Sequence, residues 1–186
     1  MNVDSPGLVR KAKIMDADRM ERAIVRMAHE IAETERDLNE LALIGIRTRG
    51  VPLAERLART IEKNEGIRPA TGSLDITLYR DDLSTVAAQP LLRKTDLTFD
   101  IKPRVVVLCD DVLYTGRTIR AALDGLIDYG RAKAIRLAVL IDRGHRELPI
   151  EANYVGKRVP TSSRELIQVM FQEIDGADET WIMERA

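Results

Sequence analysis

Two adjacent carboxylates and a threonine-rich turn are the residues of this sequence best spaced for chemistry. Asp110 and Asp111 directly follow an apolar, β-branched run at 105–108, which is typical of a strand buried inside a parallel sheet. A few residues further on, Thr-Gly-Arg-Thr at 115–118 supplies two hydroxyls and a glycine. An amphipathic helix pattern follows at once and ends at Gly130. The sequence therefore predicts a strand, an acidic tip, a turn and a helix start within one short segment.

That segment suits a sugar phosphate. In an open α/β sheet, ligands bind beyond the carboxyl ends of the strands, and a helix N-terminus there offers unpaired N–H groups and partial positive charge. A phosphate fits the turn at 115–118, whereas Asp110 and Asp111 would repel it and accept hydrogen bonds from hydroxyls instead. A ribose diol beside the acids, with its 5-phosphate in the turn, satisfies both conditions. The alternative is a buried strand followed by a solvated acidic turn.

Composition indicates a single globular domain spanning residues 1–186. The chain is 45% hydrophobic and 32% charged, and no apolar run approaches the roughly 20 residues of a membrane-spanning helix. The first residues lack the apolar core of a signal peptide, so we expect a cytoplasmic protein. A single cysteine, Cys109, excludes an internal disulfide, and two histidines weigh against a metal site built from side chains. The net charge of −1 predicts no global attraction to nucleic acid.

The hydrophobic periodicity predicts an alternating α/β chain. We expect residues 1–15 to form a loose arm with at most a short strand near residues 12–15. The predicted helices are one from Asp16 to about Arg36, one carrying Leu53, Leu57 and Ile61, and one carrying Ile119, Leu123 and Leu126. The predicted strands are 41–46, 74–79, 105–108, 135–141, 166–171 and 180–183, with a short one within 154–160.

Two further polar segments follow predicted strands. Arg-Thr-Arg-Gly at 47–50 belongs to the same sheet edge as Asp110, and it is either part of the site or an exposed turn. No Walker motif is present there, because Val51 and Pro52 stand where lysine and a hydroxyl residue should be. The polar stretch from Arg80 to about residue 100 is long for a connection inside a domain. It is either a lid over an active site, in part a hairpin, or a merely exposed hairpin.

Five motifs in matching order carry a resemblance to a known family. They are Arg-Thr-Arg-Gly (47–50), Asp-Ile-Thr-Leu-Tyr-Arg-Asp-Asp-Leu (75–83), Asp-Asp-Val-Leu-Tyr-Thr-Gly-Arg-Thr (110–118), Asp-Arg-Gly-His-Arg-Glu-Leu-Pro-Ile (142–150), and Val-Gly-Lys with Val-Pro-Thr-Ser (155–162). They resemble the type I phosphoribosyltransferases, and in particular the bacterial members that combine uracil phosphoribosyltransferase activity with regulation of the pyrimidine operon. The match covers roughly residues 10–165.

The resemblance implies an α/β type I phosphoribosyltransferase fold: a central, mostly parallel sheet flanked by helices, a flexible loop or hairpin, and a small irregular hood. It implies the reaction of uracil with phosphoribosyl pyrophosphate (PRPP) to give UMP and pyrophosphate, with Mg²⁺ carried by the substrate and no metal site on the protein. Asp110, Asp111 and Arg80 would be catalytic, Arg80 covering the pyrophosphate. Arg143 and Val159 would lie near the base, Val159 through its backbone polar groups. The implied PRPP- and nucleotide-binding residues are Thr48, Arg49, Asp110, Asp111, Val112, Leu113, Tyr114, Thr115, Gly116, Arg117 and Thr118.

The resemblance also implies a regulatory activity, in which UMP or UTP promotes binding to a stem-loop of pyrimidine messenger RNA. Transcription attenuation and translational control are both open. The candidate RNA-binding residues are Arg26, His29, His145, Arg146 and Lys157. Val25 and Thr34 depart from the family pattern, which would place a hydroxyl and a base contact or cation there. The basic stripe on the first helix is alternatively a solvated face, because glutamates interleave it.

The resemblance further implies a homodimer or a higher homo-oligomer. Two alternative functions remain at this point: a nucleotide-sensing RNA-binding regulator with little turnover, and a phosphoribosyltransferase that accepts a purine. The base contacts decide between uracil and purine, and backbone contacts of that kind are not legible in a sequence.

Overall fold

A computed structural model describes residues 7–81 and 95–185. A five-stranded parallel sheet with strand order β3-β2-β4-β5-β6 forms its centre, and a separate three-stranded antiparallel sheet with the order β1-β8-β7, here called the hood sheet, lies beside it. The strands are β1 (Leu8–Met15), β2 (Leu41–Ile46), β3 (Ala70–Leu74), β4 (Val105–Leu113), β5 (Ala134–Asp142), β6 (Tyr154–Arg158), β7 (Glu165–Met170) and β8 (Glu179–Arg185). The helices are α1 (Ala17–Thr34), α2 (Gly50–Glu65), α3 (Arg117–Ile127) and the single turn α4 (Gln172–Asp175).

The central strands are apolar on both faces because helices cover both. Side chains alternate between the faces of a strand, and Leu41, Leu43 and Val107 belong to the same buried cluster as the apolar stripes of α1 and α2. Ala42 and Ile44 lie in the other cluster, with the apolar stripe of α3. The parallel sheet is therefore a middle layer with helices on each side, as the uninterrupted apolar runs predict.

The hood sheet joins the two ends of the described chain. β1 pairs with β8 in the antiparallel sense, with Leu8 opposite Arg185, and β7 pairs with the other edge of β8. Lys11 Nζ lies 3.0 Å from Glu165 Oε1 and 3.1 Å from Glu184 Oε2, so one ammonium group links all three strands. These hydrogen bonds and charges raise the pKa of Lys11.

The structure corrects four expectations about individual elements. β1 begins at Leu8, so residues 8–15 form a full strand instead of a loose arm. The strand predicted at 74–79 lies earlier, at β3, and Thr77–Tyr79 form a 3₁₀ turn because Asp75 Oδ1 accepts hydrogen bonds from the backbone N–H and side chain of Thr77. The acids at 110 and 111 lie inside β4, since its pairing with β5 continues to Leu113. A helical turn, α4, separates the last two strands.

The other predicted elements agree closely with the structure. α1 ends at Thr34, α2 ends at the positive-φ residue Gly66, and β2 has the predicted bounds. The expected hairpin falls largely on residues 82–94, which lie outside the described residues, although Ser73 and Asp96 form an antiparallel bridge next to them. Among the described helices, none combines the length and apolarity required to cross a bilayer.

A glycine fixes how the β2–α2 turn meets β4. A Cβ built on Gly50 would lie 2.1 Å from the Cys109 carbonyl oxygen, so only glycine allows this contact between backbones. Cys109 itself is fully buried, as expected for a small apolar residue, and burial raises the pKa of its thiol. The turn that carries Thr48 and Arg49 is thereby pressed against the strand that carries the two acids.

We predict that Gly50→Ala lowers the free energy of unfolding by about 3 kcal/mol or more, because the clash is with backbone that has no easy route of escape. The matched control is Gly66→Ala, where φ is +72° but no atom lies within 4 Å of the added Cβ. Gly66→Ala should lower the free energy of unfolding by only about 1 kcal/mol, because it adds only the strain of a positive φ at a residue with a Cβ. Urea unfolding of both variants measures the difference, and equal losses would contradict the packing role of Gly50.

Candidate active site

The carboxyl ends of β2 and β4 bring the predicted polar segments together. Asp110 is 7% exposed and Asp111 is half-buried, and the backbone N–H of Asp111 donates to Asp110 Oδ1 at 3.0 Å. Burial, and then the charge of Asp111, raise the pKa of Asp110 well above its ordinary value, while the charge of Arg80 acts in the opposite direction. Burial likewise raises the pKa of Asp111, with the charge of Arg49 opposing. The two acids are thus desolvated and held between two arginines.

Arg49 is committed to a partner distant in the sequence. Its Nε and Nη2 donate to the two carboxylate oxygens of Asp175 in α4, at 3.2 and 2.7 Å. This hydrogen-bonded pair raises the pKa of Arg49, with burial opposing. Although burial works in the other direction, the bonds from Arg49 and from the Phe171 N–H lower the pKa of Asp175. The guanidinium therefore joins the β2–α2 turn to the C-terminal part of the chain, and its charge still acts on Asp111.

A cavity of about 260 Å³ opens between the acids and the hood sheet. Arg49 and Asp111 line one side of it, and Leu8, Met183 and residues 166–169 line the other. Thr48 borders a different cleft of about 320 Å³ beside Pro52 and Ile174. The Arg47–Thr48 peptide bond is cis. Thr48 and Arg49 therefore face neighbouring openings on the two sides of one turn.

The threonine-rich turn has the open helix start that an anion requires. Gly116 has φ +93° and, as the N-cap residue, has no side chain with which to cap α3, while Thr115 Oγ1 accepts a long hydrogen bond of 3.4 Å from the Arg117 N–H. The Thr115 carbonyl accepts from the N–H groups of Glu147 and Leu148 at 3.0 and 3.1 Å, which fixes the turn against the loop after β5. A cavity of about 280 Å³ lies at this helix start, lined by Arg80, Asp81, Val112, Leu113, Tyr114, Thr115, Gly116, Arg117, Thr118 and Ile119. The N–H groups that follow Arg117 in the first turn of α3 are thus available to a phosphate.

The side chain of Arg117 makes ion pairs with two carboxylates. Its Nε donates to Glu147 Oε2 at 2.7 Å, and its Nη1 donates to Asp81 Oδ2 at 2.8 Å. In this structure Arg117 therefore contributes its backbone to the turn, and its guanidinium ties that turn to two other segments.

A fourth opening, of about 400 Å³, is lined by residues 142–145 and 158–161. Arg143 is 3% exposed, and its guanidinium donates to Thr161 Oγ1 at 3.0 Å and to the carbonyls of Ser162 and Glu165 at 3.3 and 2.6 Å. Burial lowers the pKa of Arg143. Its Cζ also lies 4.0 Å from the centre of the Tyr114 ring. Arg143 thus holds the walls of this opening together.

The backbone of Val159 is already half used. Its N–H donates to the Asp142 carbonyl at 2.9 Å, extending the pairing of β5 with β6. The contact of Val159 with a base stays a prediction, and since its N–H is already paired we expect that contact to be made by its carbonyl.

Comparison with known proteins identifies the arrangement. Residues 12–170 match the family described as "Phosphoribosyl transferase domain". The chain belongs to the phosphoribosyltransferase family. A protein from a Thermoanaerobacter species named "Bifunctional protein PyrR" is 57% identical over 94% of this chain and 98% of that protein. One of the same name from Deinococcus deserti is 60% identical over 94% of this chain and 96% of that protein.

Solved structures share the fold at low sequence identity. A hypoxanthine phosphoribosyltransferase from Staphylococcus aureus superposes with a TM-score of 0.69 and 18% identity, covering 95% of this chain and 93% of that one. The hypoxanthine phosphoribosyltransferase of Trypanosoma cruzi gives a TM-score of 0.71 with 15% identity, over 95% and 98% of the two chains. The predicted phosphoribosyltransferase fold, with its central parallel sheet flanked by helices, is confirmed.

The candidate RNA-binding residues of this phosphoribosyltransferase fall into two groups. Arg26 Nη2 donates to the carbonyls of Val155 and Gly156 in β6, at 3.1 and 2.5 Å, one residue before the exposed Lys157. His29 is exposed further along α1 and contacts Asn64 in α2. These three residues lie around α1 and β6.

The second group lies in the loop after β5 and is engaged locally. Arg146 donates to the carbonyls of Ile150 and Tyr114 at 2.9 and 2.8 Å, and its Nη2 donates to Asp142 Oδ1 at 2.5 Å. His145 has φ +60°, and its Nε2 lies 2.6 Å from the Thr161 carbonyl oxygen. Arg146 therefore organises the loop after β5, and the RNA contact predicted for it stays a prediction.

Two contacts at the site were missed by sequence reasoning, namely those of Asp175 and Glu147. Asp175 pairs with Arg49 across 126 positions of the sequence. Such pairs leave no local pattern. Tyr114, which the sequence did supply as a candidate, directly precedes the threonine-rich turn and is exposed. Among residues 7–81 and 95–185, no group of three or more histidine, cysteine or acidic side chains could hold a metal ion.

We predict that Asp110→Asn stabilises the folded phosphoribosyltransferase near pH 7 and has little effect near pH 4. The raised pKa of Asp110 means that its contribution to stability is present when it is protonated, and is lost as the pH rises through the folded-state pKa. Asparagine is uncharged throughout and can still accept the Asp111 N–H. Thermal unfolding at about pH 4 and about pH 7 measures the effect. Glu151→Gln, which removes one exposed charge, is the control, and an equal gain from both variants would contradict the desolvation argument.

Proposed function

We propose that this phosphoribosyltransferase transfers a phosphoribosyl group from PRPP to uracil, and that its UMP- or UTP-bound form binds a stem-loop in the leader of pyrimidine messenger RNA. The observation that carries the proposal is the acid pair of β4 followed by the glycine-capped start of α3, in a chain whose relatives, at 57–60% identity over nearly their whole length, are named bifunctional. The five motifs in matching order support uracil as the base.

The reaction explains why the site holds cations and N–H donors near carboxylates. The bond between C1 of the ribose and the pyrophosphate oxygen breaks, and its electron pair leaves with pyrophosphate. A new bond forms between C1 and N1 of uracil, which loses its proton. Positive charge builds on the ribose and negative charge on the leaving group, so catalysis needs electrostatic stabilisation of both and little water. No covalent nucleophile is required, and Cys109, the single cysteine, is buried.

Each part of the site would bind one part of PRPP. The threonine-rich turn would hold the 5-phosphate on its N–H groups, and Asp110 and Asp111 would accept hydrogen bonds from the ribose hydroxyls. Arg80, whose charge already acts on Asp110, would cover the pyrophosphate. Mg²⁺ would arrive as part of the substrate, bound to PRPP oxygens, and would neutralise charge on the leaving group. The carboxylates of Asp110 and Asp111 are hard oxygen donors that suit such an ion.

The base would occupy the opening lined by residues 142–145 and 158–161. The Val159 carbonyl would supply an acceptor there, and the Tyr114 ring packs on Arg143, which lines this opening. Arg143 would act by holding this wall in place, since its donors reach Thr161, Ser162 and Glu165.

We predict pyrophosphate release from PRPP and Mg²⁺ with uracil, and little release when hypoxanthine, guanine or orotate is supplied alone. Release with hypoxanthine but not with uracil would overturn the pyrimidine assignment.

Asp111→Ala and Arg80→Ala should each lower kcat at least about tenfold, because each removes a charge that acts on the reacting groups. Wild-type kinetics in either variant would remove the role given to that residue.

The regulatory activity rests on the basic surface around α1 and β6. Arg26 and Lys157 are exposed cations on neighbouring elements, and His29 lies on the same helix as Arg26. Together they could contact an RNA backbone locally in a protein whose net charge is only −1. Self-association into a homodimer or a larger assembly would bring two or more such surfaces into one particle. Sedimentation measures the oligomeric state.

We predict that a pyrimidine leader transcript is retarded in a gel with UMP present, and that raising the salt concentration weakens the binding. Lys157→Ala should weaken this binding and reduce its salt dependence by about one counterion, with uracil turnover unchanged. Lys133→Ala, which removes an exposed lysine beside Glu40 at the other end of the sheet, is the matched control. Equal binding by the two variants would contradict the assignment of this surface.

A further inference from the structure

The residues that lead into the segment at 82–94 are fastened to α3. The Tyr79 hydroxyl donates to Asp128 Oδ2 just beyond the C-terminal end of that helix. The Tyr79 ring packs on Gly125, where an added Cβ would lie 3.1 Å from two ring carbons. A glycine in the middle of a helix costs about 1 kcal/mol relative to alanine, so the close approach of the ring offers a physical reason for its presence.

Asp81 provides the second fastening. Its Oδ2 accepts from Arg117 Nη1 at 2.8 Å and lies 3.4 Å from Arg120 Nη2, which also donates to the Tyr79 carbonyl at 3.4 Å. Arg117 and Arg120 lie on the first turn of α3, next to the proposed phosphate site. The carboxylate of Asp81 therefore connects residues 79–81 to the helix that begins at that site.

Arg80 lies between these two fastenings. It lines the same cavity as Asp81 and the threonine-rich turn, and its charge opposes the rise in the pKa of Asp110. A shift of residues 79–81 along α3 would therefore change the distance from the Arg80 charge to the acid pair.

Neither simple stability nor simple electrostatics accounts for Asp81 in this place. The side chains of Asp81 and Arg117 are 41% and 51% exposed, and exposed ion pairs contribute little to folding. A carboxylate that lines the phosphate cavity also repels the phosphate. On charge alone, removing it would strengthen PRPP binding.

We propose that Asp81 is a positioning residue, whose carboxylate, held by Arg117 and Arg120, keeps Arg80 directed at the reacting groups. The inference rests on the proposed PRPP-dependent function. It gives a reason for the negative charge of Asp81 at a site that binds phosphate: the carboxylate fixes the position of the neighbouring Arg80. Arg80 acts on the substrate, and Asp81 acts through Arg80.

A double-mutant cycle tests this. Asp81→Asn should lower kcat with uracil about tenfold and weaken equilibrium binding of PRPP with Mg²⁺, because displacement of a charged group by about 1 Å is costly. In the Arg80→Ala background the same substitution should change both quantities less than about twofold. Asp124→Asn is the matched control, because it removes the same charge from the same Arg120 guanidinium, 2.9 Å away, without touching residues 79–81.

Four results would contradict the proposal. Tighter PRPP binding with unchanged kcat in Asp81→Asn would show that only its charge matters. An equal loss with and without Arg80 would show that Asp81 does not act through it, and an effect of the same size in Asp124→Asn would indicate a general change in α3. Gly125→Ala, which displaces the Tyr79 ring but keeps every charge, should reproduce the loss of kcat, and its failure to do so would also count against positioning.

The binding measurement separates this inference from the proposed function. If the wild-type protein binds PRPP but does not use uracil, the proposed substrate is wrong, and the cycle is still read from PRPP affinity. If the wild-type protein binds no PRPP, the proposed function and the inference fail together.

Discussion

The structure depends on placing two neighbouring carboxylates in a desolvated position at the end of β4. Burial and mutual repulsion raise the pKa of Asp110, which means that the fold bears a cost for ionising it. Arg49 lies on one side of the pair and Arg80 on the other, and the charge of each favours ionisation of the acid nearest to it. Several contacts in the surrounding structure keep those two arginines in place.

Those contacts are made by distant parts of the chain. Gly50 lets the turn with Arg49 approach β4, and Asp175 in α4 fixes the guanidinium of Arg49 from the opposite side. Arg80 depends on the contacts that its neighbours make with α3. The charges that act on the acid pair therefore depend on the positions of three segments: the β2–α2 turn, the C-terminal segment and the chain that leads into residue 82. Substrate binding that moves one of these segments would change the electrostatic environment of the acids.

The elements whose signals are local could be predicted from the sequence. β2, β4 and β5 are uninterrupted apolar runs, and α1 and α3 have clear apolar stripes, so their type and order followed from periodicity. The acid pair and the threonine-rich turn were found for the same reason, because strand, acids and helix start are contiguous.

β1 was predicted only in part, since five of its residues are exposed and its pairing partner lies at the far end of the chain. The misplaced strand at 74–79 has a local cause, the capping of Thr77 by Asp75. At the site, the sequence supplies Arg143, Arg146 and Val159 as candidates but cannot say that neighbouring carbonyls and hydroxyls already occupy their donors.

The pairing of β1 with β8 has a consequence for how the molecule is assembled. Leu8 leaves the ribosome early, yet the strand opposite it ends at Arg185, so the N-terminal strand lacks its hydrogen-bonding neighbour until synthesis of the described chain is nearly finished. The parallel sheet, in contrast, has its β2, β3 and β4 contacts within a shorter span of sequence. Domains generally fold as units. The wall opposite Asp111 therefore forms only when nearly all of the described chain is available.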